Sequence, residues 1–381
     1  MKIDRIETFL VAPRWLFCRI ETDDGVVGWG EPVVEGRAEV VRAAVDVLAE
    51  YLIGADATRI EHLWQVLTKG GFYRGGPVLS SAVAGIDQCL WDIAGKALGC
   101  PTHRLLGGLV REAVRVYGWI GGDTPSEVAD QAAAVVASGL TAVKMNASGP
   151  LPPIPSPAET AAVVRRVESV RAAVGDSIDI AVDFHGRATL SAARRLLAAL
   201  EGCHLLFAEE PVLPEHTSLL ERLTTTTTVP IAVGERLYSR SDFAPAIEAG
   251  VAVVQPDLSH AGGISEVRRI AALADTVNVT IAPHCPLGPL ALAASLQVDV
   301  SIPNFLIQEF ALDIHYNSGA IALDYVIDRA PFAIADGTMA APGGPGLGVE
   351  IDETAMRAAD RRGHRWRNPV WTHRDGGFAE W

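Results

Sequence analysis

Three carboxylates in this 381-residue chain have the type and spacing to hold a divalent cation. Asp183, Glu209 and Glu235 each follow a short apolar run, and 26 residues separate each from the next. The runs, Ile180-Ala181-Val182, Leu205-Leu206-Phe207-Ala208 and Ile231-Ala232-Val233-Gly234, read as buried strands. A carboxylate at the end of such a strand is costly unless something pairs it. Three hard oxygen ligands with no nearby cysteine or His-x-x-x-His favour Mg²⁺, with Mn²⁺ as the alternative. Glu210 directly follows Glu209, and neighbours on a strand point to opposite sides. Glu209 is therefore taken as the ligand and Glu210 is expected on the outer side.

Other reactive groups fall at the same point of neighbouring repeats. They are Lys144 and Asn146, His185, Asp257, His284 and Glu309. A single acid there is more often a helix cap, and a lone histidine more often a satisfied polar residue. Seven successive strand ends carrying such groups are a different matter, because their mutual repulsion needs a cation and reacting partners. Asp257 ends the strand before that of His284, and a carboxylate there can hold a ring N–H and raise imidazole basicity. That is the layout of a general base. His185, two residues past Asp183, is expected on the same side, well away from His284, where it suits a general acid.

Such a rim requires a scaffold that converges strand ends. From about Arg115 the chain alternates eight strand candidates (114–119, 142–145, 178–184, 205–209, 231–235, 252–257, 279–284 and 305–309) with alanine-rich helical segments. This matches a β/α barrel, whose active sites sit at the C-terminal strand ends. Before it, Ile3, Ile6, Leu16, Cys18 and Ile20 alternate with polar residues, and Asp23-Asp24-Gly25 signals a hairpin. Helices follow over 37–52, 57–67 and about 77–98, the last opened by Pro77 and closed by Gly99. Sheet then helices reads as a small α+β domain.

Composition narrows the function. Hydrophobic residues make up 49% of the chain, enough for a sizeable core, yet no run of about 18 apolar residues occurs. The start, Met1-Lys2-Ile3-Asp4-Arg5, has no signal-peptide pattern, so a cytoplasmic location is expected. Five scattered cysteines without a CxxC pair argue against disulfides and a thiolate zinc site. A net charge of −14 argues against nucleic-acid and anionic-membrane partners. An anionic substrate would then need local positive charge, which a cation among carboxylates supplies.

These residues resemble the enolase superfamily, mandelate racemase branch. The three acids specify only the superfamily. Narrower are Asp183-Phe184-His185-Gly186-Arg187 and Pro283-His284-Cys285-Pro286-Leu287-Gly288-Pro289. Gly28-Trp29-Gly30-Glu31-Pro32, Phe72-Tyr73-Arg74-Gly75-Gly76-Pro77 and Gln255-Pro256-Asp257-Leu258-Ser259-His260-Ala261-Gly262-Gly263 add to the likeness. The resemblance implies a TIM-like (β/α)7β barrel with an N-terminal α+β capping domain over 1–112, a barrel over 113–329 and a C-terminal segment, 330–381, packing back on the capping domain. It also implies dehydration of a sugar acid. His284, backed by Asp257, removes the proton alpha to the carboxylate, Lys144 and the metal stabilise the resulting charge, Glu309 hydrogen-bonds the intermediate, and His185 protonates the departing 3-hydroxyl. Racemases of the branch usually carry Lys-x-Lys where this chain has Lys144-Met145-Asn146, and losing the second lysine favours one-base elimination. Asn146, with Arg14 and Tyr73 on lid-like turns, is expected to touch substrate. Barrels of this type usually assemble, so a homo-oligomer is expected. The remaining histidines, His260 among them, are read as ordinary, with His315 as one that could reach the mouth. The rival readings are an epimerase or dehydratase of another sugar acid, and a catalytically silent protein that binds metal and carboxylates.

Overall fold

The computed structural model describes residues 1–311 and 321–380; His315 lies outside the described residues. The chain opens with an antiparallel meander of β1 (Ile3–Val11), β2 (Trp15–Thr22) and β3 (Val27–Gly30). Its second turn falls at the expected Asp23-Asp24-Gly25, where Gly25 takes φ 82°. Helices α1 (Ala38–Ala49), α2 (Ile60–Lys69) and α3 (Pro77–Ala97) follow, with the short α4 (Thr102–Leu105). The glycines of Gly28-Trp29-Gly30 let α3 lie directly on β3. A Cβ at Gly28 would stand 2.2 Å from the Cys89 carbonyl oxygen, and one at Gly30 2.1 Å from that of Gly85.

The second region alternates strands and helices: β4 (Ala113–Ile120), α5 (Pro125–Ala137), β5 (Ala142–Asn146), α6 (Pro157–Val174), β6 (Asp179–Asp183), α7 (Leu190–Leu200), β7 (Ala208–Glu209), α8 (Glu221–Thr224), β8 (Ile231–Val233), α9 (Arg240–Glu248), β9 (Val253–Val254), α10 (Gly263–Asp275), β10 (Thr280–Ile281), α11 (Pro289–Asp299) and β11 (Gln308–Phe310). Neighbouring strands from β4 to β10 pair in parallel. The barrel closes: β11 pairs with β4, and an Ile281–Phe305 bridge joins the residues leading into β11 to β10. The later strands are shorter than the sequence pattern suggested. Pro256 and Pro283 explain two of them, since proline has no N–H for the ladder.

Hydrogen bonds at several points tie the first region to the barrel, three of them along its helices. Trp64 Nε1 donates to the Gly262 carbonyl at 2.9 Å, Gln88 Nε2 to that of Leu258 at 2.9 Å, and Ser265 N–H to Asp87 Oδ2 at 2.9 Å. The segment after Ala330 divides its contacts. The hairpin β12 (Ile334–Ala335) and β13 (Thr338–Ala340) extends the sheet at β4, whereas α12 (Glu353–Arg362) lies on β1 through Arg357–Glu7 and Asp360. A last hairpin, β14 (Trp371–Thr372) with β15 (Phe378–Ala379), ends the described chain.

Candidate active site

The barrel interior explains why the reactive groups meet. Tyr117, Ala142, Ala181, Phe207, Ala232, Val253, Ala282 and Ile307 form a small inner core. Side chains two apart on a strand share a face. Lys144, Asp183, Glu209, His284 and Glu309 therefore follow Ala142, Ala181, Phe207, Ala282 and Ile307 onto the inner side of the mouth. The alanines of the layer below leave room for long side chains above. Glu235 departs from this parity. At Gly234 the chain takes φ 151°, and a Cβ there would stand 2.6 Å from the Gln255 nitrogen, so only glycine permits the shift.

Lys144 is the centre of the acid cluster. Its buried ammonium donates to Glu209 Oε2 at 2.8 Å, stands 3.1 Å from Glu309 Oε1 and lies 3.9 Å from Asp183 Oδ2. Burial alone would lower its pKa, but the charges of Glu209 and Glu309 outweigh that and hold it well above the ordinary lysine value. One cation does not satisfy the acids. Burial, with Asp183 alongside, pushes Glu209 up to about 8 despite Lys144. Glu209 Oε1 is buried without a hydrogen-bond partner. Asp183, His185 and Glu235 each offer an atom within 4.8 Å of the others. Orphaned oxygen, excess buried carboxylate and hard donors together suit a divalent cation beside Asp183 and Glu235; Glu209, expected as the third ligand, is not part of that converging group.

A histidine stands on each side. His284 Nδ1 lies 2.9 Å from Asp257 Oδ2, and its Nε2 lies 3.0 Å from Glu235 Oε2. Burial opposes protonation of this ring, but Glu235, Glu309 and Asp257 prevail and hold its pKa well above the usual imidazole value. On the other side His185 Nε2 lies 2.9 Å from Asp183 Oδ2. His185 reaches that position by a turn: β6 ends at Asp183, His185 takes φ 46°, and its N–H donates to Asp183 Oδ1 at 2.8 Å. The expected side is reached, but a left-handed turn delivers it, not strand alternation.

These groups face a cavity of about 490 Å³ between the barrel mouth and the N-terminal turns. Lys144, Asn146, Asp183, His185, Glu235, His284, Glu309 and Arg14 line it. Glu209 and Asp257 are fully buried beside Lys144 and His284. Arg14 Nη2 donates to the Pro286 carbonyl at 3.1 Å, and Asn146 Oδ1 is buried without a partner. Tyr73 is a correction: it is 88% exposed, stacks edge-on against Phe72 and is not among the residues lining the cavity. Its Gly-flanked loop carries it outward. Glu210 is buried, is not among the residues lining the cavity, and grips Arg236 through two hydrogen bonds.

Sequence reasoning missed several cavity residues. His260 contacts the Glu235 carbonyl through Nδ1 at 3.2 Å and stands 3.5 Å from Glu35 Oε2. Against the pull of burial, Asp257 and Glu35 raise His260 to about 9, and His260 with Arg14 holds Glu35 at about 2. Glu35 follows Glu31 of the motif over 28–32 by four residues and carries no periodic signal of its own. Arg187 was legible, since it closes the Asp-Phe-His-Gly-Arg motif. Asn368 and Trp371 arrive from the far end of the chain, and no local pattern places them here.

A closed, capped barrel with carboxylates, a buried lysine and two opposed histidines at its mouth defines an enolase-type enzyme. The chain belongs to the mandelate racemase / muconate lactonizing enzyme family: residues 8–107 match its N-terminal domain, and 127–355 match the enolase C-terminal domain-like family. It is 52% identical over 382 residues to D-galactonate dehydratase of Ralstonia nicotianae and 50% identical to that of Pectobacterium atrosepticum, with all of each chain covered. It is also similar to the crystal structure of an enolase from Agrobacterium radiobacter bound to sodium and L-malate, with TM-score 0.93, 34% identity and full coverage of both chains. An enolase superfamily member from Salmonella Typhimurium aligns with TM-score 0.86 and 29% identity over 93% of this chain and 97% of its own. Among the described residues no helix is long and apolar enough to cross a membrane.

Proposed function

We propose that this enzyme is a hydro-lyase that converts D-galactonate to 2-dehydro-3-deoxy-D-galactonate and water. The observation that carries the reading is the opposition of two imidazoles across one carboxylate pair, with His185 on Asp183 and His284 on Glu235. Elimination needs a base on one side of the substrate and an acid on the other. Full-length relatives that dehydrate D-galactonate supply the substrate.

Asp183, Glu209 and Glu235 would hold a divalent cation, Mg²⁺ with Mn²⁺ as alternative, which when bound would supply Lewis-acid stabilisation of the charge that develops on the substrate carboxylate. In the neutral form, which the ring would reach once Glu235 pairs with a cation instead of with Nε2, His284 Nε2 takes the proton from C2, and Asp257 holds the ring by Nδ1 and stabilises the imidazolium. The charge left on the substrate carboxylate meets the Lys144 ammonium, and Glu309 is fixed beside it by Lys144 and by the Cys285 N–H at 2.9 Å. His185 Nε2 delivers a proton to the 3-hydroxyl, which leaves as water. The enol that remains tautomerises to the 2-keto acid. Asn146 and Arg14 are placed to hold substrate oxygens, and the polar cavity excludes bulk water when it is filled.

The reading extends to a cytoplasmic homo-oligomer, supported by an exposed apolar stripe on α1 formed by Val40 and Val47 and continued by Tyr51. The decisive test is incubation of purified enzyme and Mg²⁺ with D-galactonate and a panel of other aldonates, with detection of the 2-keto product. Product from D-galactonate in preference to its epimers is expected. Absence of a 2-keto product from every acid would refute the reading.

A further inference from the structure

The catalytic account leaves Glu31 and Gln88 without a task, although both are fully buried polar residues where the first region meets the barrel. Glu31 directly follows β3, and its carboxylate crosses to the barrel: Oε1 accepts the Gly288 N–H at 2.7 Å and Oε2 the Ala291 N–H at 2.9 Å. These are donors at the start of α11 that the helix cannot satisfy itself, because its N-cap, Gly288, has no side chain to offer. A Cβ at Gly288 would stand 2.6 Å from Glu31 Oε1, so glycine leaves the carboxylate its room. Gln88, on α3, uses both ends of its amide. Its Oε1 accepts the Glu31 N–H at 2.9 Å, while its Nε2 donates to the Leu258 carbonyl at 2.9 Å and reaches Ser259 Oγ at 3.3 Å.

Together these bonds close a circuit around the base. Gly288 lies four residues after His284, on a loop that Glu309 also holds at the Cys285 N–H, 2.9 Å, and Arg14 at the Pro286 carbonyl, 3.1 Å. On the neighbouring loop Ser259 donates its N–H to Asp257 Oδ1 at 2.6 Å, and Asp257 Oδ2 meets His284 Nδ1 at 2.9 Å. The path from His284 through Asp257, Ser259, Gln88, Glu31 and Gly288 therefore returns to its start. Two barrel loops carry the dyad, and the first region grips both from outside. That grip has a stiff backing, since a Cβ at Gly30 would stand 2.1 Å from the Gly85 carbonyl oxygen and one at Gly85 2.4 Å from Pro32. We propose that Glu31 and Gln88 form a positioning pair that sets the separation of His284 and Asp257 and thereby the aim of Nε2 at C2. Neither residue lines the cavity, so both act through the loops they hold. This rests on His284 and Asp257 as the base of the proposed elimination.

The experiment compares two backgrounds. Enzyme supplied with Mg²⁺ is given D-galactonate bearing hydrogen or deuterium at C2, and formation of the 2-keto acid is followed. Gln88→Met keeps the length of the side chain and removes its hydrogen bonds; Glu31→Gln turns an amide NH₂ against one of the two backbone N–H groups. Each should lower kcat by at least about tenfold with KM within about threefold, as a reacting group displaced from its aim does. The isotope effect on kcat should rise, because proton removal becomes the slow step. In Asp257→Asn, where the dyad is already broken, adding either substitution should cost no more than about twofold, whereas general loosening of the fold would cost the same factor in both backgrounds. Trp91→Phe is the control: it gives up the 2.9 Å bond from Trp91 Nε1 to Ser265 Oγ on α10, outside both loops, and should keep the native kcat. Crystals of Gln88→Met without substrate should show His284 Nδ1 and Asp257 Oδ2 more than about 3.2 Å apart. Three results overturn the proposal: native kcat in both variants, an equal fold-loss in the Asp257→Asn background, or a dyad still at its native separation. Should Gln88→Met fail to fold, Glu31→Gln gives the same readings, alone and with Asp257→Asn. His284→Asn separates the levels, because native dehydration in that variant defeats the base assignment itself, whereas its loss beside a fully active Glu31→Gln defeats only the positioning pair.

Discussion

Asp257 Oδ2 lies 2.9 Å from His284 Nδ1, and this contact decides which ring nitrogen faces the cavity. Asp257 is itself held by the Ser259 N–H, 2.6 Å from its Oδ1, so the pair is fixed from both ends. His284→Asn is expected to abolish exchange of the C2 proton in heavy water while metal binding persists. Asp257→Asn, which can no longer hold the ring in that tautomer as a carboxylate does, should slow exchange by about 100-fold. Exchange at the native rate in His284→Asn would remove His284 as the base.

His185 stands across the carboxylates from His284, so its loss should leave the first proton transfer in place. His185→Asn is expected to exchange the C2 proton and to form no 2-keto product, a deficit of at least about 100-fold in dehydration. Proton NMR of one reaction mixture reads both quantities. Equal loss of exchange and dehydration would mean that His185 serves binding rather than departure of the hydroxyl.

The barrel and its rim were legible because two periodicities coincide. Strand alternation places Lys144, Glu209, His284 and Glu309 inward, and the repeat of strand and helix brings those ends together. Local geometry was harder to read. Tyr73 and Arg14 sit on similar Gly- and Pro-flanked turns, yet Arg14 is bonded to the Pro286 carbonyl in the cavity wall and Tyr73 projects into solvent. His185 and Glu210 adopt left-handed backbone, which ends strand alternation just where it was being used to assign direction. Trp371 and Asn368 reach the site by tertiary packing across the whole chain, a relationship with no local pattern in the sequence.

Lys144 pairs with both Glu209 and Glu309, so its removal should be felt in stability as well as rate. Lys144→Met leaves Asp183, Glu209 and Glu309 buried together without it, at a cost on the order of 3–5 kcal/mol. A divalent cation offsets part of that repulsion. Thermal unfolding with and without Mg²⁺ should therefore show a larger rise in Tm for Lys144→Met than for the native enzyme. Identical rises would show that the acids do not share one cation site. Chelation of the native enzyme should lower its Tm for the same reason.

The last prediction concerns the joint between α3 and the barrel. Asp87 is buried there, accepting the Ser265 N–H at 2.9 Å and the Ser265 hydroxyl at 2.6 Å. Burial pushes its pKa up to about 7, against the lowering effect of the Ser265 bonds. An unfolded Asp titrates near 4. Between pH of about 4 and 7 the folded chain thus keeps a proton that the unfolded chain has released, and stability contributed at this site falls as pH rises through that window. The difference is of order 4 kcal/mol once both states are ionised. Asp87→Asn removes the titration yet keeps the joint, since its amide oxygen can accept the Ser265 N–H while its NH₂ donates to the Ser265 hydroxyl oxygen. Unfolding measured at pH 5 and pH 8 should show Asp87→Asn gaining on the native enzyme at the higher pH. Asp87→Ala, which leaves the Ser265 N–H unsatisfied, should lose about 2 kcal/mol at pH 5. Parallel pH profiles for the native enzyme and Asp87→Asn would show that Asp87 is ionised throughout and that its two Ser265 bonds, rather than burial, set its charge.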